Sequence, residues 1–360
     1  TCTVTPTDGD DDGSAGSATV TVQQGCYFED CDSAINLGGG IGIDFVNITA
    51  GTFIMGSPSS EVGRVSNEDQ HQVTLTNDFL VATTEITQGM YYQLMGYQAY
   101  DGLSASYGVG DDYPAYYVSW DMAADFSNHL TEKHNSLNGA NLEKCYSCSG
   151  SSTNVSCSTS VASIYSCTGY RLLTEAEWEY AARGGESYKY SGSNSVGDVA
   201  WYKGNSGSKT HKVCTKKENG YGLCDMSGNV WEWVYDWNAV YAIGLQTDPV
   251  GPAINANRKK VLRGGGWETQ DALRLRSSHR NSQPVEPGAG YNGFRVGFQA
   301  IQPDTANPEL ELFGGAAITR EAGQAWAEPG VEAHDARDGN ITDQIVVTGT
   351  VDMNSTGTYL

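Results

Sequence analysis

Tyr221-Gly222-Leu223-Cys224-Asp225-Met226-Ser227-Gly228-Asn229-Val230-Trp231-Glu232-Trp233 sets two acidic residues, a glycine turn and two tryptophans within thirteen positions. A glycine-containing turn can aim several backbone carbonyls at one point, with carboxylates beside them as further oxygen donors. The same residues also read as architecture, with Trp231 and Trp233 as core anchors and Glu232 paired with an arginine such as Arg295. Working outward, four more runs accompany this one. They are Gly51-Thr52-Phe53-Ile54-Met55-Gly56, Glu85-Ile86-Thr87-Gln88, the long Gly169-Tyr170-Arg171-Leu172-Leu173-Thr174-Glu175-Ala176-Glu177-Trp178-Glu179-Tyr180-Ala181-Ala182-Arg183-Gly184-Gly185, and Leu262-Arg263-Gly264-Gly265-Gly266-Trp267, closed by Gly293-Phe294-Arg295-Val296.

Regular helices are few. Thr174 is an N-cap with Glu177 as its capping-box partner, and Gly184 and Gly185 end that helix. A second helix is predicted from Ser119-Trp120 to Leu130, with Ala123, Phe126 and Leu130 on one buried face. A third, short one lies near Gln88 to Met95. The rest, rich in Gly, Ser, Tyr and Trp, reads as short strands and long ordered loops.

These runs, taken in series, resemble the sulfatase-modifying-factor family, whose founding member is the formylglycine-generating enzyme. The resemblance covers residues 43–302. It implies an α+β fold related to C-type lectins, with much ordered loop and little regular secondary structure. It also implies a calcium site made by Asp225, the backbone carbonyls of Gly228 and Val230, and Glu232. Asp225 stands where the enzyme has an asparagine, so an oxygen donor is kept and charge is added. The family's other calcium site does not carry over, because its ligand positions fall near Val199 and Ala200 and its later loop is replaced by Ser206 to Glu218.

The resemblance does not bring the chemistry with it. In oxygen-dependent members a Lys/Arg-Gly-Gly-Ser run leads into two cysteines that bind copper(I), a metal that wants soft thiolate ligands. Here Arg263-Gly264-Gly265-Gly266-Trp267 continues to Arg276 without a cysteine, and the family serine is Gly266. A second enzymatic branch holds nonheme iron with three histidines. The six histidines here, His71, His129, His134, His211, His279 and His334, are scattered, and His129 and His134 miss the same-face helical spacing. No phosphate-cradling glycine loop is evident either, since Gly264-Gly265-Gly266 lacks a following helix.

The formal net charge is −22, from 21 Lys and Arg against 43 Asp and Glu. So acidic a surface repels phosphate backbones and argues against nucleic-acid partners. No apolar run approaches the ~18 residues that span a bilayer. Of the nine cysteines, eight cluster in Ser-, Thr- and Gly-rich loops: Cys26 with Cys31; Cys145, Cys148, Cys157 and Cys167; Cys214 near Cys224. This pattern argues for disulfides in an oxidising compartment over zinc, because Cys157 and Cys167 are too far apart for a second knuckle. Four cysteines allow three connectivities, and the pairing stays open.

Residues 1–24 alternate as a hairpin and resemble the last strands of an immunoglobulin-like module. Their acidic turn, Asp8-x-Asp10-x-Asp12-Gly13, opens like an EF-hand loop but has Thr19 where the closing glutamate belongs. Residues 25–42, with a small Cys26–Cys31 loop and Gly38-Gly39-Gly40, read as a linker. Residues 303–360 resemble the start of a second bacterial immunoglobulin-like module. Both ends read as falling inside domains of a longer parent, with neighbouring immunoglobulin-like modules as partners.

Twenty-one tyrosines and eight tryptophans, many in loops such as Tyr91–Tyr117, suit either recognition of proteins or sugars or the fixing of the loops themselves. The expectation is therefore a non-catalytic, calcium-stabilised structural or adhesive module of a large secreted or surface-appendage protein, extracellular or at the cell surface. The alternatives are a glycan- or protein-binding lectin-like receptor domain and, third, a diverged metal-dependent oxidase.

Overall fold

The computed structural model describes residues 34–99, 105–254, 257–285 and 289–300, together with strand backbones at 2–4, 18–22, 309–312, 331–335, 339–340 and 345–348. The chain divides into two units, Tyr27–Ile301 and a flanking unit made of Thr1–Cys26 with Gln302–Leu360.

In the flanking unit, β1 (Cys2–Val4) and β2 (Ala18–Val22) form the expected hairpin. The structure departs from two separate modules, because β2 also pairs with the strand Ile345–Thr348 from the far end of the chain. An open strand edge is satisfied by any strand of matching register. The strands Glu309–Leu312, Val331–Asp335 and Gly339–Asn340 make a second small sheet. The Asp8–Asp12 turn and the Cys26–Cys31 loop lie outside the described residues.

The large unit opens earlier than the sequence suggests. β3 (Ala34–Gly38) and β4 (Ile41–Ile48) are paired strands, and Ile35 and Leu37 are core residues. The glycine triplet read as linker turns this hairpin, since Gly38, Gly39 and Gly40 all have positive φ. β5 (Gly51–Met55) pairs with β6 (His71–Leu75), and β7 (Phe79–Ala82) joins β4.

α1 (Gln88–Met95) starts at the Thr87 cap, and Gly96 ends it at φ 75°. α2 (Trp120–Asn138) starts at Ser119 as expected but runs to Gly139. Leu130 is not its end because nothing in Thr131–Asn138 breaks a helix, while Thr131 and His134 still face the core. β8 (Tyr146–Ser149) and β9 (Ser156–Thr159) form a ribbon, and β10 (Arg171–Leu172) leads into α3 (Glu175–Arg183), whose Thr174–Glu177 capping box is present. α4 (Val196–Val199) is a single turn.

β11 (Trp231–Trp237) is followed by β12 (Gln246–Thr247), β13 (Lys259–Arg263), β14 (Arg280–Pro284), β15 (Asn292–Phe294) and β16 (Val296–Gln299). The two larger sheets run β10-β16-β7-β4-β3 and β14-β13-β11-β15. Aromatic packing fills the space beside α2: Phe126 stacks on Tyr91 at 5.5 Å and meets Phe294 edge-on at 5.2 Å. This is the α+β arrangement expected, with four α-helices among the described residues supporting long loops.

Candidate functional site

Asp225 and Asn229 take left-handed backbone (φ 56° and 59°), and Gly228 has φ 92°. Three such residues in five fold the hallmark run tightly back on itself, at a cost repaid only if the surroundings hold it. Asp225 Oδ2 accepts the Cys214 amide at 2.6 Å, while Oδ1 is buried with no hydrogen-bond partner. Glu85, from the second sequence run, accepts Asn229 Nδ2 at 2.7 Å and the Val230 amide at 3.0 Å. Glu232 accepts Trp178 Nε1 at 2.7 Å and a bidentate pair of bonds from Arg295, both at 2.7 Å.

Three fully buried carboxylates thus face one guanidinium, Arg295. Burial pushes the Asp225 carboxyl up to about 6, and Glu232 adds to the shift. Burial raises Glu85 well above the usual carboxylate range, with Asp225 and Glu232 contributing. Such a cluster ionises fully only when more positive charge is supplied. The unpartnered Asp225 oxygen and this charge imbalance fit a hard cation at Asp225, for which the Gly228 and Val230 carbonyls of the same run would be the further donors. Glu232 fits least well, because both its oxygens are committed to Arg295 and Trp178. Its architectural reading, as the partner of Arg295, is the one the geometry displays.

The six described sites of cysteine form three disulfides, Cys145–Cys167, Cys148–Cys157 and Cys214–Cys224. The last ties the 214 loop to the hallmark run, next to Asp225. After β13 the chain turns at Gly264 and Gly265 (φ 87° and 80°). A Cβ on Gly266 would lie 2.6 Å from Glu268 Oε2, so glycine here makes room for that carboxylate. The described histidines are separately placed: His134 bonds the Tyr170 hydroxyl, His211 stacks on Trp201 and His279 pairs with Glu68.

Sequence reasoning named Arg295 but missed the other buried arginines. Arg171 grips Glu177 with bonds of 2.7 and 2.8 Å, Arg276 grips Glu68 with two of 2.8 Å, Arg280 meets Glu175, and Arg263 meets Glu179. For Arg171 and Arg263 the signal was context: Tyr-Arg-Leu-Leu and Leu-Arg-Gly place a charge beside apolar residues, where only a paired guanidinium is tolerated. The tyrosines between 91 and 117 divide, with Tyr91 and Tyr92 on α1 and not in a loop. Tyr91 and Tyr116 are fully buried, whereas Tyr107, Tyr113 and Tyr117 are half-buried and Tyr92 is exposed.

Comparison with known proteins agrees with this geometry. The chain belongs to the sulfatase-modifying factor enzyme 1-like domain family, whose model matches residues 42–300. A model described as bacterial surface protein, Ig-like domain matches residues 310–360. The chain is 31% identical over 229 residues to the chaperone protein LppX of Paenibacillus barcinonensis, covering 56% of this chain and 73% of that one. It is 36% identical over 146 residues to the formylglycine-generating enzyme of Streptomyces coelicolor, spanning 35% of this chain and less than half, 46%, of the enzyme. Among solved structures, Treponema denticola variable protein 1 superposes with a TM-score of 0.62 at 31% identity, covering 74% of this chain and 98% of that one. PvdO from Pseudomonas aeruginosa, with a TM-score of 0.53 at 23% identity over 74% of this chain and 97% of its own, shares the fold.

Proposed function

We propose that this chain is a non-catalytic, calcium-stabilised module of a bacterial surface protein, serving structure or adhesion. The observation that carries the reading is the segment Arg263–Arg276, where the copper-binding cysteines of the oxygen-dependent relatives are replaced and Glu268 occupies the space beside Gly266. The six cysteines between residues 145 and 224 are spent in disulfides, which also suits an oxidising exterior. The surface-protein Ig-like match at 310–360 supports that location.

Calcium bound at Asp225 would neutralise the excess buried charge and lock the hallmark turn, so its role would be stability. The test of the catalytic half is direct. Oxygen uptake is followed with a cysteine-bearing peptide after loading with copper(I) or iron(II). The reading expects no metal-dependent turnover, and stoichiometric conversion of the cysteine would overturn it. A ligand-binding role stands as the second reading, favoured by the half-buried tyrosines 107, 113 and 117.

A further inference from the structure

We infer that the lysine-rich stretch 199–217 is a binding surface for an acidic polysaccharide, one that bears sulfate or carboxylate groups. Lys203, Lys209, Lys212, Lys216 and Lys217, with His211, fall between Asp198 and Glu218, and no acidic residue lies among them. They are five of the ten lysines in a chain whose net charge is −22. Five of the arginines, Arg171, Arg263, Arg276, Arg280 and Arg295, are instead buried against carboxylates. Lys203, Lys209, Lys212 and Lys217 are exposed and Lys216 is half-buried. Lys212 meets Asp112 at 2.8 Å, while among the described residues the other four lysines form no ion pair.

The stretch is a fixed loop. The amides of Thr210, Val213 and Lys217 donate to the Tyr107, Asp112 and Asp198 carbonyls at 3.0, 2.9 and 3.0 Å. The Cys214–Cys224 disulfide ties it to the hallmark run. Three of the ammonium groups are placed as well. Lys203 donates to the Ser208 hydroxyl at 2.8 Å, Lys216 to the Gly197 carbonyl at 2.6 Å and Lys217 to the Gly192 carbonyl at 2.8 Å. An ammonium has three N–H groups, so each of these keeps donors for an anion. Side chains ordered beforehand lose little freedom on binding.

The surroundings choose among polyanions. Charges beyond a Debye length of about 8 Å are largely screened at physiological salt, so the acidic remainder of the surface does not cancel this patch for a narrow chain lying along it. A nucleic-acid duplex or an anionic bilayer is broader and meets that remainder too. Trp201 gives an unpaired base no stacking face, because His211 stacks on its ring at 3.7 Å and the Lys216 ammonium stands 4.1 Å from its centre. Protein interfaces are poor in lysine and built round apolar anchors. None of the exposed large hydrophobic side chains belongs to 199–217. A thin, hydrated polyanion is what fits, and an acidic polysaccharide has that chemistry. The acids at the margin are engaged: Asp112 with Lys212, Asp198 with the Ser193 hydroxyl, and Glu218 beside the Cys214 and Cys224 sulfurs. This inference goes beyond the structural module and rests on neither calcium nor the loss of catalysis.

The test titrates the whole chain by calorimetry with dextran sulfate and with polygalacturonate, against neutral dextran, poly-L-glutamate and a DNA duplex. The expected result is binding of one or both acidic polysaccharides, weakening as salt rises, and none of dextran; the two arms tell sulfate from carboxylate. Lys203→Gln/Lys209→Gln/Lys217→Gln should weaken binding about tenfold or more, since three exposed ion pairs are lost. Lys133→Gln/Lys144→Gln/Arg274→Gln removes the same formal charge elsewhere and should change it less than about twofold. Thermal unfolding reports that both variants are folded. In the unaltered protein, bound polysaccharide should protect Lys203, Lys209 and Lys217 from acetylation, mapped by mass spectrometry. Absence of binding by both acidic polysaccharides, equal loss in the two variants, or no selective protection overturns the inference. So does equal or tighter binding of poly-L-glutamate or of the duplex, which would make the surface a site for an acidic peptide or for nucleic acid.

Discussion

Replacing Glu232 with glutamine probes the pairing on which the centre of the domain rests. The carboxylate is fully buried and meets Arg295 through two 2.7 Å bonds, while the guanidinium itself is 1% exposed. Glutamine keeps an acceptor for Trp178 but leaves the arginine charge facing one partner fewer. Breaking a buried ion pair on one side costs about 3–5 kcal/mol. Asp225 and Glu85 also stabilise the Arg295 charge, and the Ala82 and Cys224 carbonyls still accept its N–H groups. The loss should therefore fall near the lower bound, about 3 kcal/mol. For a domain of this size that corresponds to roughly 6–12 °C in Tm. Urea unfolding followed by tryptophan fluorescence is the assay, since seven of the eight tryptophans lie between residues 120 and 267 and report on the large unit. The double variant Glu232→Gln/Arg295→Met should lose at least about 1 kcal/mol less than the sum of the singles. A single-variant loss below about 1 kcal/mol, with additive singles, would refute the reasoning.

Other consequences can be checked on the same preparation. Burial would raise the Glu68 carboxyl, but hydrogen bonds from His279, Arg276 and Ser57 outweigh it and hold the group down to about 2. Its contribution is thus present above the ordinary value of 4.5 and lost as pH falls towards 2. Glu68→Gln should flatten that acid limb, removing about 3 kcal/mol of pH dependence in urea titrations between pH 5 and pH 2. Gly293→Ala puts a Cβ 2.6 Å from the Ala115 carbonyl oxygen, which is backbone and cannot swing away. It should cost about 1–3 kcal/mol by thermal unfolding, and a neutral result would mean that the strand register gives. Replacing Cys145 and Cys167 with alanine opens a disulfide between residues 22 apart and should cost about 3 kcal/mol in guanidinium unfolding under oxidising conditions.

Local signals were legible because they are written in adjacent residues. The Thr174–Glu177 capping box, the Ser119 cap and the glycine at 184 mark helix ends by hydrogen bonding and positive φ alone, while Gly139 ends α2 beyond the expected Leu130. The Asp225–Glu232 run announced a tight acidic turn, and the turn is there. What was not legible is set by tertiary partners. The exchange between β2 and Ile345–Thr348 and the nesting of Cys148–Cys157 within Cys145–Cys167 depend on which distant segments meet, whereas Arg295 already stood as a candidate partner of Glu232. Composition misled at Gly38–Gly40, where a glycine run that serves equally as linker or hairpin turn proved to be the turn.

The central claim is a calcium ion held at the hallmark turn, and metal analysis of the purified protein paired with thermal unfolding in calcium and in chelator tests it most directly. The account predicts one calcium per chain, bound without copper or iron, and a fall in Tm with chelator that Asp225→Ala abolishes. A metal-free protein whose Tm is indifferent to chelator, or a stoichiometric redox metal, would contradict it.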